Sequence, residues 1–275
     1  MPKTIFITGV STGLGRAFAE VLLARGYRVV GTLRDNNALE NFEALQAGMA
    51  IGRLLDVTDF AMIEKTIKDI EETVGAIDVL INNAGYGHEG ILEESTLDEL
   101  KLQFEVNVYG PVALMKAVLP YMRARGAGHI INVTSMGGLM TMPGISFYCG
   151  SKFALEGISS SLGKELKPLG IFVTALEPGQ MRTDWAGRSM QRAPHFLADY
   201  DNILEPLRAA RLAKNGNQQG SPMKAAEALI KLIESEHPPA HLLLGSDAFD
   251  FVHKEFDSMR AEFAEWESIT RSTNF

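Results

Sequence analysis

Thr4-Ile5-Phe6-Ile7-Thr8-Gly9-Val10-Ser11-Thr12-Gly13-Leu14-Gly15 joins a short apolar run to a glycine-rich one. The first part is rich in β-branched and aromatic residues, as in a strand buried on both faces of a parallel sheet. The second part leads into an amphipathic stretch, Gly13–Arg25. Glycines between a strand and the next helix let the backbone approach an anion, and the helix start adds amide donors and the positive end of its dipole. The spacing is Gly-x-x-x-Gly-x-Gly rather than Gly-x-Gly-x-x-Gly. Alone, the segment also fits a tight strand-to-helix connection. Its place after the first strand favours a turn that holds the pyrophosphate of a dinucleotide.

Outward from this turn, short apolar runs alternate with longer amphipathic ones. The expected strands are Lys3–Thr8, Arg28–Leu33, Ala50–Leu55, Asp78–Ile81, His129–Val133, Ile171–Leu176 and His241–Leu244. The expected helices are Gly13–Arg25, Ala38–Gln46, Phe60–Val74, Leu97–Arg125, Tyr148–Leu169, Pro222–Glu236 and about Asp247 to Trp266. Asp59 and Ser246 suit helix N-caps, and Gly26 and Gly170 suit helix C-termini. This alternation predicts a single-domain α/β protein: a Rossmann-like, doubly wound parallel sheet of seven strands with helices on both faces. One domain spans residues 1–275. Between Pro178 and Pro222 no strand is expected, and the aromatics Trp185, Phe196 and Tyr200 argue against a disordered excursion. An insertion at about 180–222 reads as a lid over a binding site, with a C-terminal helix at about 247–266.

Composition narrows the function classes. Of 275 residues 46% are hydrophobic and 22% charged, an ordinary globular balance. The 34 acidic against 26 basic residues give a net charge of -8, which argues against nucleic acid as a partner. The single cysteine, Cys149, excludes an internal disulfide. No signal-like or membrane-spanning run is evident, so no membrane association is expected and the cytoplasm is the expected location. The six histidines are scattered without ligand spacing, so no metal site is expected.

Chemistry-bearing residues fall at the ends of the expected strands, where ligands bind in such sheets. The second strand ends in Leu33-Arg34-Asp35. Leu33 occupies the position where a carboxylate would select NAD, and Arg34 follows it, so Arg34 with Ser11 suits the 2'-phosphate of NADP. Asp56-Val57 follows the third strand, and Asp56 suits the adenine amino group. Asn82-Asn83-Ala84-Gly85 follows the fourth, where small residues let the backbone pass close to a cofactor. Tyr148 and Lys152 stand four apart, on one face of an expected helix. A cation beside a phenol lowers its pKa from about 10 toward neutral, which equips it to exchange a proton. On most helices such a pair is a half-buried ring beside a solvated charge. Cys149 reads as a packed thiol.

In order, Thr8-Gly9-x-x-x-Gly13-x-Gly15, Asp56-Val57, Asn82-Asn83-Ala84-Gly85, Asn107, Ser135, Tyr148-x-x-x-Lys152 and Pro178-Gly179 with Thr183 resemble the classical short-chain dehydrogenase/reductase family. The resemblance runs from Lys3 to the final helix. It implies an oxidoreductase acting on CH–OH groups with NAD(P) as acceptor. Tyr148 would be the general acid or base, Lys152 would lower its pKa and bind the nicotinamide ribose, and Ser135 would bond the substrate oxygen. Asn107 would hold a helix kink and a water linking Lys152 to solvent. Thr183 would bond the carboxamide, with Pro178 and Gly179 beneath the ring and Met181 beside it. Gly9, Ser11, Thr12, Gly13, Leu14 and Gly15 would line the pyrophosphate, and Arg34, Asp56, Val57, Asn83, Ala84 and Gly85 the adenosine and ribose. The Leu33-Arg34 pattern resembles members preferring NADP(H), with NAD(H) also open. Family members commonly pair long helices across a two-fold, which implies a homodimer or homotetramer; a monomer stays open.

Gly31-Thr32-Leu33-Arg34-Asp35, Glu177-Pro178-Gly179 and Thr183-Asp184-Trp185-Ala186-Gly187-Arg188-Ser189 are similar to a hydroxysteroid- or retinol-dehydrogenase-like branch. The expected pocket is Tyr86, His88, Met136, Leu139, Met140, Met142, Phe147, Gln180, Met181, Trp185 and Met190, which favours an apolar ketone, aldehyde or alcohol. Competing readings are an NADP-binding regulator without activity, an NAD-preferring dehydrogenase of the same fold, and a nicotinamide-dependent epimerase or dehydratase. The full set Asn107, Ser135, Tyr148 and Lys152 argues against the regulator. The short chain after Glu177 argues against the epimerase.

Overall fold

Strand β1, Thr4–Ile7, shows why the sheet lies at the centre of the molecule. Ile5 and Ile7 face one apolar cluster and Phe6 faces the other, and all three are fully buried. Burial of each such side chain stabilises the fold by roughly 2–3 kcal/mol, so both faces must be covered. The computed structural model describes residues 2–185, 187–194 and 197–275.

The elements follow in order: α1 Gly13–Ala24, β2 Arg28–Leu33, α2 Asn36–Glu43, β3 Ala50–Leu54, α3 Phe60–Asp69, β4 Ile77–Asn82, β5 Gly87–Glu89, α4 Leu97–Phe104, α5 Gly110–Arg125 and β6 Gly128–Val133. Then come α6 Ser146–Leu166, β7 Ile171–Pro178, β8 Met190–Arg192, α7 Asp201–Lys214, α8 Pro222–Glu234, β9 His241–Leu244, α9 Ser246–Glu265 and α10 Glu267–Ser272. The main sheet has seven strands in the order β3-β2-β1-β4-β6-β7-β9, and all its pairings are parallel. Helices α1 and α8 cover the Ile5 and Ile7 side, and α3 and α5 the Phe6 side. All seven expected strands are present. The strand order reverses between β1 and β4, which opens a crevice at their carboxyl ends.

Local chemistry sets the boundaries. Helix α2 begins two residues earlier than expected because Asp35 Oδ1 accepts a 2.8 Å bond from Ala38 N. Asp59 caps α3 by accepting from Met62 N at 3.1 Å. Ser246 is not the cap of α9: Gly245 holds that position at φ +108°, and Ser246 lies inside the helix. Two helical expectations contain π-helical turns: Phe60–Val74 ends in one, Ile70–Val74, and Leu97–Arg125 is interrupted by another, Glu105–Tyr109, between α4 and α5.

The stretch after Pro178 also departs from expectation. It contains a strand, β8, which pairs in parallel with β5 in a separate two-stranded sheet. Three residues against three give too weak a pattern to read from sequence. Ala186, His195 and Phe196, part of the expected lid, lie outside the described residues. No described helix is long and apolar enough to cross a membrane.

Candidate active site

The crevice between β1 and β4 is shaped by backbone proximity. Gly9 has φ +72°, and a Cβ there would lie 3.2 Å from Ala84 Cα. Gly13 has φ +63°, a conformation that glycine adopts without strain. At Gly15 a Cβ would lie 2.1 Å from Gly9 O and 2.4 Å from Asn83 Nδ2. The Thr8 hydroxyl accepts from Asn83 N and Ala84 N, both at 3.0 Å, and Asn83 Nδ2 donates to Thr8 O and Gly9 O at 2.9 and 3.0 Å. Asn83 therefore braces the turn with its side chain. Val57 is buried against Gly110, whose Cβ would lie 2.8 Å from Val57 O. Thr12 occupies the N-cap of α1 but makes no side-chain cap bond, and no acidic residue stands in the first turn. The first amides of α1 are thus directed at the crevice, and this cradle fits the diphosphate of a dinucleotide. Gly15→Ala is expected to weaken cofactor binding at least tenfold and lower the melting temperature, because overpacking of this kind costs about 1–3 kcal/mol. Titration of cofactor fluorescence and a thermal melt check both.

Beyond β2, exposed Arg34 lines an open cavity of about 240 Å³ with Leu54, Leu55, Asp56, Asp59 and Met62. Burial pushes the Asp56 carboxyl up, but the backbone and hydroxyl donors of Thr58, helped by Arg34, outweigh it and hold the pKa below its usual value. Asp35 is engaged in capping α2. Thr183 lies across the crevice from the turn, its side chain 3.9 Å from the position of a Cβ on Gly13. Gly179 N donates to Leu244 O at 2.8 Å, and a Cβ on Gly179 would lie 2.4 Å from Asp247 Oδ1, so Pro178-Gly179 runs beside the end of β9 and tightly against the start of α9. Met181 is buried in the core cluster beneath α8. Arg188, which sequence reading missed, donates from Nη2 to Thr12 Oγ1 at 3.1 Å and brings a cation to the cradle.

The structure brings the four residues Asn107, Ser135, Tyr148 and Lys152 together. Ser135 follows β6; its Oγ accepts from Gly137 N at 3.0 Å, and its hydroxyl faces the Tyr148 phenol, whose pKa it lowers. Tyr148 and Lys152 lie on α6, each 6% exposed. Lys152 Nζ donates to Val133 O at 2.9 Å and lies 5.8 Å from the centroid of the Tyr148 ring. Asn107 sits in the π-helical turn, where Oδ1 accepts from Tyr86 N at 3.2 Å and Nδ2 donates to Tyr86 O and Ser151 Oγ at 3.1 Å. The Ser151 hydroxyl in turn donates to Tyr148 O at 2.7 Å. Ser151 thus ties Asn107 to the backbone of Tyr148, a link with no sequence signature. A Cβ on Gly85 would lie 3.1 Å from Asn107 Oδ1 and 3.7 Å from Lys152 Nζ, so a side chain here would crowd Asn107.

One electrostatic expectation is corrected. Burial pushes the Tyr148 phenol up, against the pull of the Ser135 hydroxyl, and so holds it protonated. Burial also pushes Lys152 down to about 8, opposed by Glu156. Proximity of a cation was expected to draw the phenol toward neutrality. Desolvation of both groups outweighs it, and the ammonium faces the ring and the Val133 carbonyl.

The walls are only partly as expected. Trp185 packs on Tyr148 with ring centroids 5.1 Å apart, and His88 stacks on Phe147 at 5.1 Å. Met142 and Trp185 each pack against the cluster of Ile145, Tyr148 and Cys149, and Met190 lies against Gly87. Met136, Leu139 and Met140 instead form a small core with Ala248 and Val252 of α9. The Tyr86 phenol is buried and pushed up to about 12, first by burial and then by Glu99 and Glu105, which places it toward α4. Gln180 donates its backbone N–H to Asp247 at 2.8 Å. Cys149 is a buried thiol pushed up by burial, which suits a packed role. It lines a cavity of about 540 Å³ with Thr141, Met142, Pro143, Ser146, Gly150 and Phe153.

Comparison with known proteins identifies the family and its fold. The family model described as short chain dehydrogenase matches residues 3–193. The chain is 37% identical over 271 residues to Oxidoreductase BOA17 of Botryotinia fuckeliana, covering 98% of each. It is 34% identical over 252 residues to Retinol dehydrogenase 8 of Homo sapiens, covering 86% of this chain and 80% of that one. The crystal structure of a short-chain dehydrogenase from Streptomyces avermitilis superposes with a TM-score of 0.93 at 39% identity, covering 100% of this chain and 99% of that one. The chain belongs to the short-chain dehydrogenase/reductase family, oxidoreductases that act on CH–OH groups with NAD(P) as acceptor.

Proposed function

We propose that this enzyme interconverts an apolar ketone or aldehyde and its alcohol with NADP(H), using Tyr148 as general acid and base. The observation that carries this reading is the convergence of a Ser135 hydroxyl, a buried protonated Tyr148 and the Lys152 ammonium beside the glycine turn. A bound nicotinamide supplies the hydride in reduction and accepts it in oxidation. Ser135 and Tyr148 are two donors for the oxygen on which charge develops, and Tyr148 gives its proton to that oxygen. Lys152 and Asn107 hold the charge and the local backbone beside it. A phenol held protonated by burial is the form needed for reduction. The apolar walls around Trp185 and Met142, and the likeness to a protein named a retinol dehydrogenase, support an apolar substrate. The segment at 180–222 acts as its lid.

The preference for NADP(H) rests on Arg34, exposed beside the ribose end of the crevice, and on Leu33 in place of a carboxylate. Leu33→Asp combined with Arg34→Ala is expected to reverse the ratio of kcat/KM for NADPH over NADH by about 10²-fold, since each lost or gained charged bond is worth about 1.5–3 kcal/mol. An unchanged ratio rejects the role of Arg34. A panel of carbonyls and alcohols assayed with both cofactors, read at the absorbance band of the reduced nicotinamide, tests the reaction itself. Absence of turnover with every apolar carbonyl would reject the substrate class.

A further inference from the structure

One buried cluster stands outside the groups used above. Glu177 of β7 is fully buried and Glu156 of α6 is 5% exposed. His241, at the start of β9, reaches both: Nδ1 lies 2.7 Å from Glu177 Oε1 and 3.4 Å from Glu156 Oε2. The register explains the meeting. Ala175 pairs with His241, so Glu177, two residues on, shares the face that α6 covers. The His241 side chain is 46% exposed and opens the cluster to solvent. At the other end, Glu156 stands four residues after Lys152, on the same face of α6.

We propose that Glu156 and Glu177 share one proton, exchange it with solvent at His241, and through the charge of Glu156 set the charge of Lys152. The ligand atoms of Glu156, Glu177 and His241 lie within 4.8 Å of one another, and two carboxylates this close and this dry do not both ionise in the ordinary carboxylate range. Neither Glu156 oxygen nor Glu177 Oε2 receives a well-formed hydrogen bond, and a proton on the pair provides one. The titratable groups facing the cluster are Lys152 and Glu156 from α6, Glu177 from β7 and His241 from β9, with the Thr134 hydroxyl at the end of β6. Burial raises both carboxyls; Thr134, His241 and Lys152 work against it at Glu156, and Glu177 works with it. Burial lowers Lys152, and Glu156 opposes that when ionised. As pH rises the pair loses its proton, Glu156 becomes anionic, and Lys152 keeps its ammonium further into the alkaline range. Glu156 is therefore a positioning residue for the Lys152 charge. This deepens the proposed function, on which its kinetic arm rests.

The test uses two substitutions with opposite signs. Glu156→Gln removes the anion, so the alkaline limb of the kcat profile should move toward acid by about one pH unit. Glu177→Gln removes the competing carboxyl, so Glu156 ionises earlier and the limb should move toward alkali. Loss of packing alone would lower the melting temperature without opposite displacements, and coincident or same-direction limbs overturn the proposal. A second arm is independent of turnover: carbon-13 NMR of glutamate carboxyls in the wild-type protein without substrate. A carboxyl titrating far above the ordinary range, lowered by Glu177→Gln and raised by His241→Gln, is the expected result. Two carboxyls titrating independently in the ordinary range overturn the cluster even where the kinetic reading of Tyr148 stands. If the NMR result is found and no carbonyl is reduced, the failure lies with the proposed reaction.

Discussion

Tyr148→Phe is expected to lower turnover by roughly 10³-fold, within the 10²–10⁴ typical of a lost general acid, while the Kd for NADPH stays within about twofold. The substitution deletes only the hydroxyl. The ring that packs at 5.1 Å on Trp185 remains, and the backbone carbonyl that accepts from Ser151 is untouched. Cofactor binding and the melting temperature should therefore be nearly unchanged. Ser135→Ala should cost less, since it removes one of two donors to the developing charge. The double variant should cost far less than the product of the two, because the hydroxyls act on one oxygen. Single-turnover reduction measured against NADPH titration separates the chemical step from binding. Turnover at the full rate in Tyr148→Phe would mean that another group supplies the proton.

The sheet was legible because its central strands are buried on both faces, so they appear as short, largely apolar runs separated by longer amphipathic ones. Thr8-Gly9 after β1 and Asn82-Asn83 after β4 mark both strand ends and, in the fold, the two walls of one crevice. Helix starts were less legible, since a cap depends on backbone angles: Asp35 caps α2, whereas Ser246 yields its position to Gly245. The residues Asn107, Ser135, Tyr148 and Lys152 could be picked out as an ordered set, but the links between them could not. Ser151 connects Asn107 to Tyr148 across 44 positions from the former, and nothing in a lone serine announces that. Desolvation was equally invisible: Tyr148 and Lys152 sit close enough to suggest a lowered phenol pKa, yet burial reverses the direction. The pocket expectation over-assigned methionines because Met136 and Met140 serve α9, and only the packing of that distant helix reveals it.

Glu89 carries the other large expectation. It is fully buried on β5, accepts from Arg192 Nε at 2.9 Å, and pairs with Arg211 of α7. Arg211 also donates to Pro143 O at 2.6 Å, just ahead of α6. Next along the chain, Glu94 pairs with Arg208 at 3.2 Å and accepts from Leu197 N at 2.9 Å. The segment from Met190 through α7 is thus fastened to β5 and the turn after it by two buried carboxylates, Glu89 and Glu94. Gly90 N donates to Gly144 O at 2.9 Å and Gly90 bridges to Ile145, so the same anchor reaches the start of the helix that carries Tyr148. Glu89→Gln keeps the shape and removes the charge that Arg192 and Arg211 meet there. Breaking a buried pair costs about 3 kcal/mol, which corresponds to roughly a 10²-fold rise in the open population of the segment. Limited proteolysis should then cut within α7 far faster than in the wild type, and KM for an apolar carbonyl should rise while the Kd for NADPH changes little. Asp98→Asn, which breaks the exposed Lys101 pair, is the control and should leave both readouts alone, as solvated pairs contribute little. Cleavage and KM at wild-type values in Glu89→Gln would mean that apolar packing around Leu204 and Met190, rather than the buried charges, holds the segment in place.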